Sequence, residues 1–388
     1  MQHKHTIGAS LIIAGTAIGA GMLAIPLVTA QYGVLPTVLI TCFAWAVMYL
    51  SGLFVMEGVL WSEENANFLT MSEKFLGRFG KGLTFVFYLF LYGCLLVAYF
   101  SGIEPILRAL FGSIEMATLM TVLVVTLGLI IIFGMLWIDR LNLILMIGLS
   151  VAFLSLLALA SEQVSMKNLD FYQFQKVYLA LPLLFAAFGY HNVIPSICTY
   201  LKRDVRKIKI AIFIGTFLTL IIYLLWQFVI LASVEKSALL FLKDQGLPVT
   251  FALQNVTKSP LLGKFALGFS FFALTTSLLG VAFSMVDFLI DGFKMKMQGI
   301  GRMGMTIIVL ILPLSFARFF PNIFVEALEY AGGFGEAYLN ALLPALVFFV
   351  AKKRRHLQAQ MQWKADGLWL FIVCLVALLT IVLQAFVK

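Results

Sequence analysis

Charged side chains are scarce in this chain of 388 residues: Asp, Glu, Lys and Arg make up 12% of it, whereas 62% of the residues are apolar. Soluble domains carry about 25% charged residues. A soluble protein of this size could not keep so much apolar surface away from water, so the composition excludes a soluble enzyme, a disordered scaffold and a nucleic-acid binder. It predicts an all-α protein that crosses the membrane many times.

Cysteine and catalytic motifs are also lacking. The four cysteines stand singly in apolar runs, without the spacing of a disulfide framework or a zinc site; they are Cys42, Cys94, Cys198 and Cys374. We interpret them as small buried apolar side chains. Neither Gly-x-Ser-x-Gly nor His-Glu-x-x-His occurs, so an intramembrane enzyme is not indicated. We expect no metal and no cofactor other than a coupling ion.

Long apolar runs dominate the sequence. A membrane-spanning helix needs about 20 apolar residues at a rise of about 1.5 Å each. This length predicts eleven spans, at residues 7–31, 34–60, 83–103, 117–138, 141–161, 177–200, 209–233, 265–290, 303–320, 322–350 and 367–387. No loop is long enough to form a domain, although residues 61–82 and 234–264 can each hold a short helix.

Lysine and arginine are distributed unevenly between the predicted loops. An odd number of spans puts the two termini on opposite sides, and the loops that share a side with the N-terminus carry twice as many of these residues as the others. The positive-inside rule therefore predicts a cytoplasmic N-terminus and a periplasmic C-terminus. Topology also explains the net charge of +9, so we expect a lipid bilayer around the protein, no nucleic acid and no obligatory protein partner.

Glycine and proline interrupt two of the predicted spans. The first span contains GTAIGAGMLAIP at residues 15–26, and the sixth contains AFGYHNVIPS at residues 187–196. Within a helix, glycine costs about 1 kcal/mol and proline about 3 kcal/mol relative to alanine. Unwound backbone at this depth is tolerated only beside a cavity or buried in protein. A packing face of Gly15 and Gly19 is the alternative interpretation.

The two interrupted spans lie five spans apart. Residues 7–162 and 177–350 therefore each hold five spans that begin with a broken helix, and residues 367–387 add one more. Because five is odd, the second set enters the membrane upside down relative to the first. This arrangement is typical of inverted-repeat transporters, whose substrate site lies between the halves at mid-membrane.

Free backbone groups at the two breaks predict a site for a zwitterion. The amides of Ala20, Gly21 and Met22, at the start of a half-helix, can bind a carboxylate. Carbonyl groups near Ala17 and from Phe185 to Phe188 would face an ammonium group. No Lys or Arg lies well inside a span, so we expect an α-amino acid as the substrate.

These two segments, together with TTSLLGVAFSMVDFLID at residues 275–291, resemble the hydroxy/aromatic amino acid permeases, and most of all their tyrosine permease branch. The resemblance extends over nearly the whole chain. It implies the fold of the amino acid–polyamine–organocation superfamily, five-plus-five helices like the leucine transporter, with one extra helix. It also implies proton-driven import across a bacterial inner membrane. Gly19, Ala20 and Gly21 match the carboxylate-binding Gly-x-Gly of that superfamily, and Thr276 and Ser277 match the polar pair that coordinates sodium in sodium-coupled relatives.

Aromatic residues are candidates for substrate contacts. Three tyrosines of the third span recur four and seven residues apart on one helical face, which is either a substrate-facing stripe or a packing stripe: Tyr88, Tyr92 and Tyr99. Further candidates cluster at the second break and in the eighth span: Phe188, Gly189, Tyr190 and Phe283. The aromatic substrate itself is implied by the resemblance.

Polar residues inside spans are candidates for coupling, because a charge in the membrane costs about 3 kcal/mol or more. The candidates are Glu57, His191, Asn192, Ser277, Asp287, Asp291 and Glu336. Glu57, Asp287 and Asp291 lie near cytoplasmic ends, where they can also reach water or pair with a cation. His191 is either a proton carrier or a hydrogen-bonding residue that shapes the pocket. Glu336 is the deepest of three acids, with Glu326 and Glu329, around the glycine-rich residues 331–335, and suggests a gate or coupling site.

The sequence thus predicts a secondary active importer that couples uptake of an aromatic amino acid, tyrosine first, to protons. Sodium coupling, a serine or threonine substrate, a non-transporting amino acid sensor and a channel or facilitator are the alternatives. Uphill, saturable uptake distinguishes a coupled transporter from a channel.

Overall fold

The computed structural model describes residues 2–64, 66–133, 135–165, 168, 171–256, 260–293, 299–354, 356–360 and 366–386. Among these residues, ten helices are long and apolar enough to cross a membrane, and one further pair of helices, bent by 55° at a short break, makes an eleventh span. The predicted all-α architecture with eleven spans is confirmed. The predicted residue 387 of the last span lies outside the described residues.

Sixteen α-helices form the fold in the part of the chain that the structure describes. They are α1 (Gln2–Ala17), α2 (Ala20–Thr29), α3 (Val34–Leu60), α4 (Phe68–Leu110), α5 (Met116–Phe133), α6 (Met135–Ser161), α7 (Leu181–Ala187), α8 (Ile194–Tyr200), α9 (Val205–Ser233), α10 (Lys236–Asp244), α11 (Thr250–Val256), α12 (Pro260–Gly292), α13 (Ile300–Phe319), α14 (Phe324–Tyr330), α15 (Leu343–Arg354) and α16 (Asp366–Phe386). Short 3₁₀ turns precede α7 and α8, at Val177–Ala180 and His191–Val193.

Both loops that are predicted to hold short helices contain them. α4 begins at residue 68, with a capping box between Asn67 and Thr70, and changes direction at Gly77, whose φ of 75° is accessible to glycine at little cost. Its first turns therefore form a separate helix before the span. The second loop contains α10 and α11.

The charged pair Asp139 and Arg140 lies within a helix. The sequence predicts spans at 117–138 and 141–161, with this pair between them. In the structure both residues belong to α6, which the described residues show at Met135–Ser161. An α-helix can include polar residues outside the apolar layer, so the pair does not interrupt it.

The tenth span is wound in an unusual way. Between α14 and α15 the chain forms a π-helix at Ala331–Leu342. π-Turns within α-helices occur frequently at functional sites. Its glycines allow close packing on three sides: a side chain at Gly332 would overlap the Pro182 carbonyl of α7, one at Gly333 would lie 2.6 Å from Gln384 of α16, and one at Gly335 would lie 2.7 Å from Leu91 of α4.

The spans connect two faces of the molecule. We call the face that carries residues 61–64, 66–67, 201–204 and 356–360 the N-terminal face, because α1 begins there. The face with residues 30–33, 111–115 and 234–249 is the opposite face. At the N-terminal face α9 starts after Asp204, whose carboxylate accepts the Lys207 amide at 3.1 Å. Hydrogen bonds from Lys207 hold the pKa of Asp204 below its usual value.

A central cavity at two helix breaks

A cavity of about 80 Å³ lies between the two broken spans, α4, α12 and the π-helix. Its lining includes many of the predicted site residues: Ala17, Gly19, Ala20, Gly21, Tyr92, Gly189, Asn192, Ser277 and Glu336. Of the predicted residues at the two breaks, five do not line this cavity within the described part of the chain: Met22, Phe185, Phe188, Tyr190 and His191. Thr276 lines an adjoining cavity instead.

The first break lies between α1 and α2. Gly19 is extended, with φ −156° and ψ −145°, so the hydrogen bonds of α1 stop at the Ile18 amide, which donates to the Ala14 carbonyl, and resume in α2. Among the described residues, the amides of Ala20 and Gly21 have no backbone acceptor. The Met22 amide donates to the Gly19 carbonyl at 3.2 Å, so the prediction of Met22 as a third free donor is wrong.

Close packing explains the glycines of the first break. A Cβ atom at Gly21 would lie 2.7 Å from the Ala187 Cα atom, and one at Gly19 would lie 2.5 Å from the Ser277 hydroxyl oxygen. Gly21 therefore lets the two broken spans touch.

The second break lies between α7 and α8. α7 ends at Ala187, and the chain passes through Gly189 before the 3₁₀ turn leads into α8. A side chain at Gly189 would overlap the carboxylate of Glu336, which lies directly against this glycine. Asn192 donates to the Tyr92 hydroxyl at 3.1 Å and so connects the break to α4.

The large side chains of the second break point away from the cavity. Tyr190 donates to the Met48 carbonyl at 3.2 Å, and the His191 Nε2 atom lies 3.1 Å from the same oxygen. Phe188 packs on Tyr223 with the ring centroids 5.2 Å apart. The prediction that Phe188 and Tyr190 form walls of the pocket is therefore wrong, because both rings are used to attach the break to neighbouring helices. His191 has the hydrogen-bonding role that the sequence leaves open.

One hydroxyl group faces the carbonyl groups of both breaks. The Tyr223 hydroxyl of α9 lies 2.6 Å from the Ala17 oxygen and 2.8 Å from the Ala187 oxygen. The sequence predicts that such carbonyls face an ammonium group, whereas here they face the protein itself. Tyr223 lies in an unbroken apolar span, and only its polar hydroxyl group could have marked it in the sequence.

The tyrosine stripe faces the cavity. Tyr88, Tyr92 and Tyr99 all contribute to its lining. Tyr88 stacks on Tyr92 with centroids 4.1 Å apart, and on its other side it stacks on Phe288 of α12 at 3.8 Å. Leu91 and Leu95 complete this aromatic and aliphatic wall of the cavity.

Glu336 brings a carboxylate into the same cavity. Its side chain is buried, and its Oε2 atom accepts a hydrogen bond from the Asn340 side-chain amide. The Ser51 hydroxyl donates in turn to the Asn340 carbonyl. Among the described residues no Lys, Arg or His forms an ion pair with Glu336. A buried carboxylate without a cation is expensive unless a proton or a ligand neutralises it.

The other acidic candidates lie elsewhere. Asp287 pairs with the buried Arg302 of α13 at 2.7 Å and lines a vestibule at the N-terminal face rather than the central cavity. Glu57 is buried near the end of α3, and its carboxylate accepts the Gln360 amide at 3.1 Å. Both acids therefore have protein partners. This agrees with the alternative interpretation, in which these acids pair with other groups and do not take part in coupling.

The two adjacent polar residues of α12, Thr276 and Ser277, make different contacts. The Thr276 hydroxyl lies 2.9 and 3.0 Å from the carbonyl oxygens of Phe272 and Ala273 in its own helix. Ser277 faces Gly19 across the cavity. In the described part of the chain, no group of three or more His, Cys, Asp or Glu residues could hold a metal ion.

The cavity continues toward the N-terminal face. A vestibule of about 740 Å³ lies between residues 66–69, the end of α8 and the end of α12, and it shares Tyr88 and Asn192 with the central cavity. A second space of about 470 Å³, beside α1 and α6, shares Thr16 and Ser277 with it.

On the opposite face, backbone and side chains cover α2. The Trp226 indole donates to the Met22 carbonyl at 2.8 Å, and the Val249 amide donates to the Leu23 carbonyl at 3.1 Å. Nearby, the Gln173 amide donates to the Tyr32 carbonyl at 2.8 Å. The two spaces of about 740 and 470 Å³ that adjoin the central cavity therefore lie on the N-terminal side of the breaks.

Two broken spans, a cavity at their crossing and a vestibule on one side define a membrane transporter of the leucine-transporter-like fold. A solved structure with this fold is the manganese transporter of Eremococcus coleocola, crystallised with an aromatic bis-isothiourea substituted compound. It superimposes with a TM-score of 0.62 at 16% sequence identity and covers 98% of this chain and 86% of its own.

The sequence comparisons give the family. The model of the tryptophan/tyrosine permease family matches residues 2–385, and the chain belongs to that family. It is 33% identical to the tyrosine-specific transport system 1 of Haemophilus influenzae, over 96% of this chain and 95% of the relative. The tryptophan-specific transport protein of the same organism is 31% identical, over 97% and 95%. The family consists of permeases, so the chain is a transport protein and not an enzyme.

Proposed function

We propose that this protein imports an aromatic amino acid, with tyrosine as the favoured substrate, across a bacterial inner membrane by proton symport. Relatives named for tyrosine and for tryptophan transport support the substrate class. The predicted topology, with the N-terminus in the cytoplasm, supports the direction.

The observation that carries the proposal is the pairing of free backbone amides with an aromatic wall. Ala20 and Gly21 have amides without a backbone acceptor, and they line the same cavity as Tyr88, Tyr92 and Tyr99. Amides at the start of a helix attract a carboxylate. The substrate carboxylate binds there, and its aromatic ring packs against the tyrosine stripe.

Glu336 is the proton carrier in this proposal. It is the one acid among the candidates that lines the central cavity, and its carboxylate has no cationic partner among the described residues. A proton neutralises this buried charge while the substrate is bound, and it leaves through the vestibule. Sodium coupling through Thr276 and Ser277 remains the second candidate, because Ser277 faces the first break.

Within this proposal we assign the structure to one step of transport. With the N-terminal face in the cytoplasm, the vestibule opens inward and the cover over α2 closes the periplasmic side. The structure then corresponds to an inward-open state, in which substrate and proton are released, and alternating access requires a second state that opens on the opposite face.

Uptake of L-tyrosine into proteoliposomes tests the proposal. We expect saturable accumulation against a gradient when the outside is acidic, in choline buffer without sodium, and competition by tryptophan or phenylalanine. Accumulation that requires a sodium gradient and ignores the pH gradient would contradict proton symport. Competition by serine or threonine alone would contradict the aromatic substrate, and binding without uptake would indicate a sensor.

A matched pair of variants tests Glu336. We expect Glu336→Gln to lose accumulation driven by the pH gradient, yet to keep exchange of labelled for unlabelled tyrosine, because exchange needs no net movement of protons. Glu326→Gln, an exposed acid in the same span, is the control and should behave like the unchanged protein. Normal proton-driven accumulation by Glu336→Gln would remove Glu336 as the carrier.

A further inference from the structure

The side chain of Tyr223 lies between the carbonyl ends of two half-helices, α1 of the first broken span and α7 of the second. α1 ends at Ala17 and α7 ends at Ala187, and the last carbonyls of a helix have no partner within that helix. Both of these oxygens point at one spot, which the Tyr223 hydroxyl occupies at 2.6 and 2.8 Å.

Two acceptors converge there on a single proton. A phenol has one O–H donor, so it can satisfy only one of the two carbonyls fully at a time. Unwound carbonyls of broken helices are the groups that bind Na⁺ in transporters of this architecture. The converging oxygens of Ala17 and Ala187 therefore have the character of a cation site that a protein side chain already fills.

The surroundings hold the hydroxyl in place. The Tyr223 side chain is fully buried, and its ring packs on Phe188 at 5.2 Å. One turn farther along α9, Trp226 donates to the Met22 carbonyl at 2.8 Å, so the same helix is attached to both sides of the first break. Burial of the ring and the attachment of α9 to the first break thus hold the hydroxyl at the two carbonyls.

We infer that Tyr223 is a built-in substitute for a bound cation: its hydroxyl bridges the Ala17 and Ala187 carbonyls and thereby excludes Na⁺ from this position. This inference rests on the proposed function and extends it, since it makes Tyr223 the residue that prevents Na⁺ from binding at this position. It does not depend on the identity of the transported amino acid.

The test removes the hydroxyl and keeps the ring. In Tyr223→Phe the two carbonyls lose their donor, and a small cation can enter between them. We expect the melting temperature of the purified variant to rise in a saturable way with NaCl but not with choline chloride, because a ligand that binds only the folded state stabilises it. The unchanged protein should show no such difference between the two salts.

Tyr190→Phe is the matched control. It deletes a buried hydroxyl that also donates to a backbone carbonyl, that of Met48, but at a position away from the converging carbonyls. Its melting temperature should respond equally to NaCl and choline chloride. A sodium-specific rise in both variants would mean that any lost buried hydroxyl has this effect, and it would overturn the inference.

Binding of L-tyrosine gives a second measurement. In choline buffer Tyr223→Phe should bind L-tyrosine about fivefold to tenfold more weakly, as expected for one lost hydrogen bond of about 1 kcal/mol, and sodium should restore the affinity. A loss without rescue by sodium would reduce Tyr223 to a structural role. If neither the unchanged protein nor the variants bind L-tyrosine, the proposed substrate is contradicted. The inference about Tyr223 is then decided by the melting temperatures in NaCl and choline chloride.

The unchanged protein keeps the inference testable if Tyr223→Phe does not fold. Replacement of choline by sodium should change neither its melting temperature nor its rate of L-tyrosine uptake at fixed pH. A sodium-specific increase in either quantity that persists in Ser277→Ala would show that Na⁺ binds between the Ala17 and Ala187 carbonyls while Tyr223 is present, and would overturn the inference.

Discussion

The two broken spans differ in what they present to the cavity they share. At the first break the backbone itself faces the cavity, because Gly19 is extended and the amides of Ala20 and Gly21 have no backbone acceptor among the described residues. At the second break the large rings turn outward, and Gly189 and Asn192 face the cavity.

This difference separates two tasks. Backbone amides suit the carboxylate, which every amino acid has in common. The second break instead brings side chains of other helices to the cavity: the Glu336 carboxylate lies over Gly189, and Asn192 donates to the Tyr92 hydroxyl. We therefore expect the first break to govern binding of any amino acid, and the second break to govern coupling and selectivity.

The largest effect is expected from Gly21→Val. Its side chain would collide with the α7 backbone at Ala187, 2.7 Å from the first added carbon, and overpacking of this kind costs about 1–3 kcal/mol. Separation of the two breaks should abolish L-tyrosine uptake in proteoliposomes. Gly93→Val, where nothing lies within 4 Å, is the control for inserting valine into a span. Uptake by Gly21→Val at the unchanged rate would show that contact between the breaks is unnecessary.

A smaller effect is expected from Gly189→Ala. The added methyl group would overlap the Glu336 carboxylate and force it to move, without entering the first break. We expect proton-driven uptake to fall about tenfold, because overpacking that raises the activation free energy by about 1.4 kcal/mol slows a reaction by that factor. The rate of tyrosine exchange should fall less. Gly304→Ala in α13, where nothing lies within 4 Å, should leave both rates unchanged. An equal fall in exchange and driven uptake would place Gly189 in binding rather than in coupling.

The smallest effect is expected from His191→Phe. This change removes the hydrogen bond to the Met48 carbonyl, which should lower the free energy of unfolding by about 1 kcal/mol. Because His191 lies outside the cavity lining, the dependence of uptake on pH should not change. His191→Gln keeps a donor and should recover part of the stability. A flattened pH profile in both variants would make His191 a proton carrier after all.

Features that depend on the local sequence pattern could be predicted from the sequence. Apolar run length located the spans, and glycine and proline located both breaks, because each acts through the backbone of its own segment. The helical period placed Tyr88, Tyr92 and Tyr99 on one face, and the structure turns that face to the cavity.

Features that depend on distant partners could not be predicted in this way. Phe188, Tyr190 and His191 lie outside the α-helices, where no α-helical period fixes the direction of a side chain. Tyr223 is separated from Ala17 by 206 residues in the sequence, so nothing near it signals the contact. The π-helix at Ala331–Leu342 also escapes a search for the α-helical period.

The central claim is that backbone amides without a backbone acceptor, at the first break, bind the substrate carboxylate. An experimental structure with L-tyrosine bound tests this claim most directly. The account predicts density for the carboxylate within hydrogen-bond distance of the Ala20 and Gly21 nitrogens, with the phenol ring against the stripe of Tyr88, Tyr92 and Tyr99. Tyrosine bound only in the vestibule near Asp287, or a first span wound continuously through Gly19, would contradict it.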